Sequence, residues 1–71
     1  MGRMSNWLGL ELQRIREEHG LTLLGASEKT GVSRRKISEL ERGLCVAYLP
    51  TLTKIAGGYG VAVEELLDGT P

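Results

Sequence analysis

Four of the nine basic residues, Arg34, Arg35, Lys36 and Arg42, crowd into one short stretch of this 71-residue chain. Cations at that density can pair with anionic oxygens, those of phosphate above all. Arginine adds a planar fork that matches two acceptors side by side. A charge run can also be a plain solvated face. Position argues for a ligand, because three of these cations open a predicted helix and oppose its macrodipole. Phosphate or base contacts would explain that cost.

Catalytic chemistry has little to stand on. The chain has one histidine, His19, one cysteine, Cys45, and no convergent carboxylate pair. No nucleophile–base pairing is legible, and the protein is expected not to be an enzyme. His19 has no second histidine or neighbouring cysteine to share a metal. It reads as a cation-capable residue at a helix C-terminus. No cofactor, metal or small-molecule site is expected. Cys45 cannot form an internal disulfide, which suits a reducing cytoplasm, and it reads as an inert apolar thiol.

Length allows one domain with a small core. No run of about 18 apolar residues offers a membrane span. Met1–Leu10 lacks the apolar region and cleavage site of a signal peptide. Formal net charge is zero, which by itself is poor support for nucleic-acid binding. Distribution matters more than the sum. Glu17, Glu18, Glu64, Glu65 and Asp68 gather away from the cationic stretch.

The elements that would position these residues can be read from caps and periodicity. Met1–Met4 reads as a frayed arm, and 5–68 as the domain. Ser5 or Asn6 can cap a first helix with the apolar stripe Trp7, Leu8, Leu12 and Ile15, closed by His19 and Gly20. Thr22 caps a second helix, about 23–30, with Leu23, Ala26, Ser27 and Thr30 on one face. Gly25 costs it ~1 kcal/mol relative to alanine. Gly31 suits the left-handed residue that ends it. Val32 plugs the gap before Ser33, which caps a third helix, about 33–42. Ile37 and Leu40 face inward there, Arg34, Arg35, Ser38 and Glu39 outward, and Lys36 to the side. Pro50 sits in the first turn of a fourth helix, with Leu52, Ile55 and Ala56 inside. Gly57 and Gly58 weaken its end, Tyr59 covers them and Gly60 breaks it. Val61, Val63, Leu66 and Leu67 supply a short fifth helix, with Glu64 and Glu65 near the end its dipole favours.

The stretch Leu21–Gly43 resembles the helix-turn-helix of the phage-repressor family, the lambda repressor and Cro-like (XRE) DNA-binding domains. The residues that match are Leu21–Thr22, the Gly31–Val32–Ser33 turn, Ile37, Leu40 and Glu41–Arg42–Gly43. Leu8–Gly20 is similar to the family's first helix, including Arg16 four residues before a glycine. Tyr48–Leu67 is similar to its fourth and fifth. The resemblance implies an all-α, compact five-helix lambda-repressor-like domain with a central helix-turn-helix.

It also implies a site. The third helix would lie in the major groove of a double-stranded DNA operator, with Arg34, Arg35 and Glu39 at base edges. Glu39 would accept from a cytosine amino group or orient Arg35 one turn before it. Thr22, Ser33, Lys36, Ser38 and Arg42 would contact phosphate. Family members usually carry a phosphate-contacting glutamine where Leu23 stands. Here Leu23 refills core volume lost at Ala26 and Thr30, and the Thr22 hydroxyl or backbone N–H groups of the second helix take over the contact. Arg16 and Glu41 would form a structural ion pair. The domain would act as a homodimer on a two-fold site, since one copy reads only a few base pairs.

Leu44–Leu49 departs from the family pattern, being apolar where cations are usual. Two readings stay open. Val46, Tyr48 and Leu49 fold back onto the core, or they form a subunit interface. Val63 and Leu67 of the fifth helix are the competing dimer patch. Function likewise has two readings. The first is a DNA-binding transcriptional regulator in the cytoplasm. The second is a protein–protein interaction module, of antitoxin or co-regulator type, that keeps the fold with weak DNA affinity.

Overall fold

The computed structural model describes the backbone of residues 4–67 and the side chains from Leu8 to Leu67. Five helices follow one another: α1 (Met4–Glu18), α2 (Leu23–Thr30), α3 (Arg34–Glu41), α4 (Leu49–Tyr59) and α5 (Val63–Leu67). No strand occurs among the described residues, and no helix among them is long and apolar enough to cross a membrane. Met1–Arg3, most of the expected arm, and Asp68 lie outside the described residues. Met4, the arm's last residue, is already helical. Ser5 and Asn6 therefore fall within the first turn of α1 and not at its cap; their side chains, with that of Trp7, lie outside the described ones.

Local chemistry sets the helix ends. Thr22 is extended, and its Oγ1 accepts from the Gly25 N–H at 3.0 Å, filling one donor that α2 cannot satisfy itself. Gly31 leaves α2 at φ 78°, a left-handed conformation that a Cβ would strain. Thr30 completes the turn. Its buried hydroxyl donates to the Ala26 carbonyl at 2.8 Å and accepts from the Val32 N–H at 3.1 Å. A larger apolar residue at that place would leave the Val32 N–H to find another acceptor.

One core joins the elements. Leu12 and Ile15 of α1, Ala26 of α2, Val32 of the turn, Ile37 and Leu40 of α3, Leu52, Ile55, Ala56 and Tyr59 of α4, and Leu66 of α5 are all buried. Leu8, Leu21, Leu23, Val61 and Val63 are partly buried against it. Two glycines permit the closest approaches. A Cβ on Gly9 would sit 2.5 Å from the carbonyl oxygens of both Leu40 and Glu41, so α1 rests on the end of α3. A Cβ on Gly58 would sit 2.6 Å from Thr30 Cγ2 and 2.7 Å from the Lys29 carbonyl oxygen.

Gly57 and Gly58 do not end α4, which runs through both to Tyr59. The tight contact of Gly58 with α2 supplies packing that offsets its poor helix propensity. Tyr59, the last residue of α4, is a core residue, 3% exposed.

Candidate nucleic-acid interface

Ser33 starts the candidate site. Its Oγ accepts from the Lys36 N–H at 3.1 Å and fixes the first turn of α3. The helix is then clamped from behind. Ile37 and Leu40 are buried in the core, and so is the charged Glu41. With that face committed, the helical repeat leaves Arg34, Arg35 and Lys36 exposed together.

Glu41 is held by Arg16. Arg16 Nε donates to Glu41 Oε2 at 2.7 Å, and Arg16 Nη2 donates to Oε1 at 3.1 Å. A third donor, Nη1, reaches the Leu21 carbonyl at 2.8 Å. The bond to Glu41 raises the arginine's pKa. This fork ties the start of the helix-turn-helix to the end of α3.

Cations differ in whether carboxylates already hold them. On α1, Arg14 lies between Glu11 and Glu18. Its Nη1 donates to Glu18 at 2.6 Å, and its Nε and Nη2 donate to Glu11. Those bonds raise the Arg14 pKa and hold the Glu11 carboxyl below its ordinary range. On α3 the cations are mostly free of acids. Arg35 Nε meets Glu39 Oε2 at 3.2 Å, while Arg34 and Lys36 make no ion pair among the described residues. Lys36 Nζ instead lies 3.9 Å from Cys45 Sγ. The N-terminal turn of α3 is thus a cationic edge that no nearby acid neutralises fully.

The other expected phosphate contacts are spread around this helix. The exposed Thr22 and Ser33 are both N-caps, and each hydroxyl oxygen is already accepting a backbone N–H. Their hydroxyl hydrogens can still donate. Ser38 is half-buried, and Arg42 is exposed at the C-cap, its N–H on the Ser38 carbonyl at 3.1 Å. His19 Nδ1 lies 2.8 Å from the Ile15 carbonyl, one turn back on α1. No group of three metal-capable side chains occurs among the described residues.

The 44–49 segment settles one of its two readings. Val46, Tyr48 and Leu49 do not fold back onto the core, for they are 63%, 67% and 59% exposed. Cys45 and Ala47 turn inward in their place, and Leu44 joins the outward set. Burial alternates along the segment: Cys45 and Ala47 are half-buried, and Leu44, Val46 and Tyr48 are exposed. Of the competing patch, Val63 packs partly on the core and Leu67 is exposed.

The pattern of the helix-turn-helix domain family matches residues 7–68. The chain is similar to the HTH-type transcriptional regulator DdrOP3 of Deinococcus deserti, 38% identical over 58 residues, which are 82% of this chain and 45% of that one. It is similar along more of its partner to the uncharacterized HTH-type transcriptional regulator y4dJ of Sinorhizobium fredii, 34% identical over 94% of this chain and 87% of the relative. Among solved structures it superimposes on the clp gene regulator ClgR from C. glutamicum with a TM-score of 0.87, at 30% identity, over 94% of this chain and 86% of that one. The chain spans less than half the length of several curated relatives it matches.

Proposed function

The chain belongs to the helix-turn-helix domain family, and from that membership we propose that it is a sequence-specific, double-stranded DNA-binding transcriptional regulator. In this reading α3 enters the major groove. Arg34 and Arg35 reach base edges, where arginine matches guanine O6 and N7. Lys36, Arg42 and the hydroxyls of Thr22, Ser33 and Ser38 bind phosphate and set the register. One observation carries the reading. Arg34 and Lys36, exposed on the first turn of α3, make no ion pair among the described residues, and Arg35 keeps its terminal nitrogens free beside Glu39, although the chain has as many acids as bases. The action is one of binding rather than catalysis, and its setting is the cytoplasm, beside the DNA.

The functional unit in this reading is a homodimer on a two-fold site, its recognition helices about one DNA turn (~34 Å) apart. The exposed ribbon of Leu44, Val46, Tyr48 and Leu49 supports an interface there, because contiguous apolar surface on a small domain needs cover. Val63 already spends part of its surface on the core, which favours the ribbon over α5.

Selection from random duplexes with the purified protein, followed by a salt titration, tests the reading. A DNA regulator enriches one site, and its log–log salt slope is about −0.9 per phosphate neutralised. A protein-interaction module enriches nothing and binds duplex DNA weakly at every salt concentration.

A further inference from the structure

We propose that Glu39 is a positioning residue: it holds Arg35 by Nε so that the outer edge of the guanidinium reads a guanine, and it reads no base itself. The proposal rests on α3 being the DNA-facing helix. Arg35 Nε donates to Glu39 Oε2 at 3.2 Å across one helical turn. The two side chains are unequally placed. That of Arg35 is 89% exposed and that of Glu39 28%, so the guanidinium is outermost and the carboxylate stays nearer the helix.

A guanidinium can meet a pair of acceptors along an edge that includes Nε or along the edge formed by its two terminal nitrogens. Glu39 occupies Nε. The terminal edge remains, and its two parallel N–H groups fit O6 and N7 of guanine. The same bond explains how a carboxylate is tolerated on a helix that approaches phosphates. Its charge is spent on Arg35 and not set against the DNA. Were Glu39 to turn toward a cytosine amino group, Arg35 would lose its brace. In water an exposed pair of this kind is weak, but it strengthens when the groove excludes solvent. Its effect therefore belongs to the complex and not to the stability of the free domain.

The test compares wild type, R35A, E39A, E39Q and R35A/E39A on the selected duplex and on each of its single base-pair substitutions. Alanine keeps α3 helical. R35A should lose about 5- to 150-fold of its preference at one G·C pair. E39A should lower the preference at that same pair by about two- to fivefold. E39Q keeps an acceptor oxygen and should recover part of the loss, and the double variant should behave as R35A. E39A should also bind random duplex more tightly, having shed a negative charge. A loss in E39A at a different base pair, adding to that of R35A, would make Glu39 a reader and overturn the proposal. An unchanged preference in E39A would overturn it too. A wild-type protein with no base preference at all would defeat the DNA-reading function itself and this proposal with it.

Discussion

Arg16 and Glu41 form a two-pronged ion pair that closes α1 onto the last residue of α3, with side chains only 11% and 6% exposed. Arg16 also holds the Leu21 carbonyl, so one guanidinium fixes the entry and the exit of the helix-turn-helix. Glu41→Ala would leave that cation buried without its partner, at a cost of ~3–5 kcal/mol. Domains of this size hold only ~5–15 kcal/mol in total. Urea unfolding followed by circular dichroism should show the midpoint collapse. Replacing both residues by apolar ones of similar volume should be far milder. A fully stable Glu41→Ala would contradict this role for the pair.

Gly57 and Gly58 are neighbours in α4 that should respond oppositely to alanine. Nothing lies within 4 Å of a Cβ on Gly57, so Gly57→Ala should gain the helix propensity of alanine, about 1 kcal/mol. A Cβ on Gly58 meets Thr30 Cγ2 and the Lys29 backbone well inside contact distance. Gly58→Ala should force α4 from α2 and cost ~1–3 kcal/mol despite the same propensity gain. Thermal melts of the two variants side by side read the difference in sign.

Tyr59 is buried, and its phenolic oxygen has no hydrogen-bond partner among the described residues. Burial pushes its pKa up to about 12, with the charge of Glu41 adding to the shift. Tyr59→Phe removes a buried hydroxyl that no protein group holds among the described residues, and should raise stability by about 1 kcal/mol. The pH dependence has a definite sign. Between the ordinary tyrosine value near 10 and the folded value, the unfolded chain has lost its proton and the folded chain keeps it. Stability therefore falls as pH rises through that window. The phenylalanine variant should lose this component of the fall, measured by urea unfolding at pH 9 and pH 11.

The turn was legible because its chemistry is local. Thr22, Gly31 and Ser33 each act within three or four residues of themselves, and the sequence is enough to place them. The order of the five helices could be read from the apolar spacing at Leu12 and Ile15, Ile37 and Leu40, and Leu52 and Ile55. Gly9 and Gly58 could not be read, since their necessity comes from backbone on another helix. Thr30 looked like lost core volume, and only the turn geometry reveals its hydroxyl bridging Ala26 and Val32. The 44–49 ribbon was misread for a related reason. An apolar side chain declares that it wants cover, but the packing decides which of several apolar neighbours obtains it. In the candidate site, the row of cations was legible. That Arg16 is held and Arg34 is not depends on the fold, because the carboxylate on Arg16 comes from another helix.

Tyr48 stands near the middle of the exposed ribbon. If that ribbon joins two copies, a two-fold interface places Tyr48 on both sides of it. Tyr48→Glu then sets two like charges into one apolar contact. Equilibrium sedimentation, with and without the selected duplex, should show wild type dimerising and the variant remaining monomeric. Undiminished association in the variant would move the interface to α5.

The cationic edge of α3 is the centre of the account, and alanine scanning across it on two kinds of DNA is the most direct measurement. Arg34→Ala and Arg35→Ala should each lose ~1–3 kcal/mol of discrimination at a defined base pair. Lys36→Ala should weaken the selected duplex and a random duplex alike, and make the salt slope shallower by about one unit. If all three variants bound the selected duplex as wild type does, or if the arginine variants weakened selected and random DNA equally, α3 would not be the element that reads the sequence.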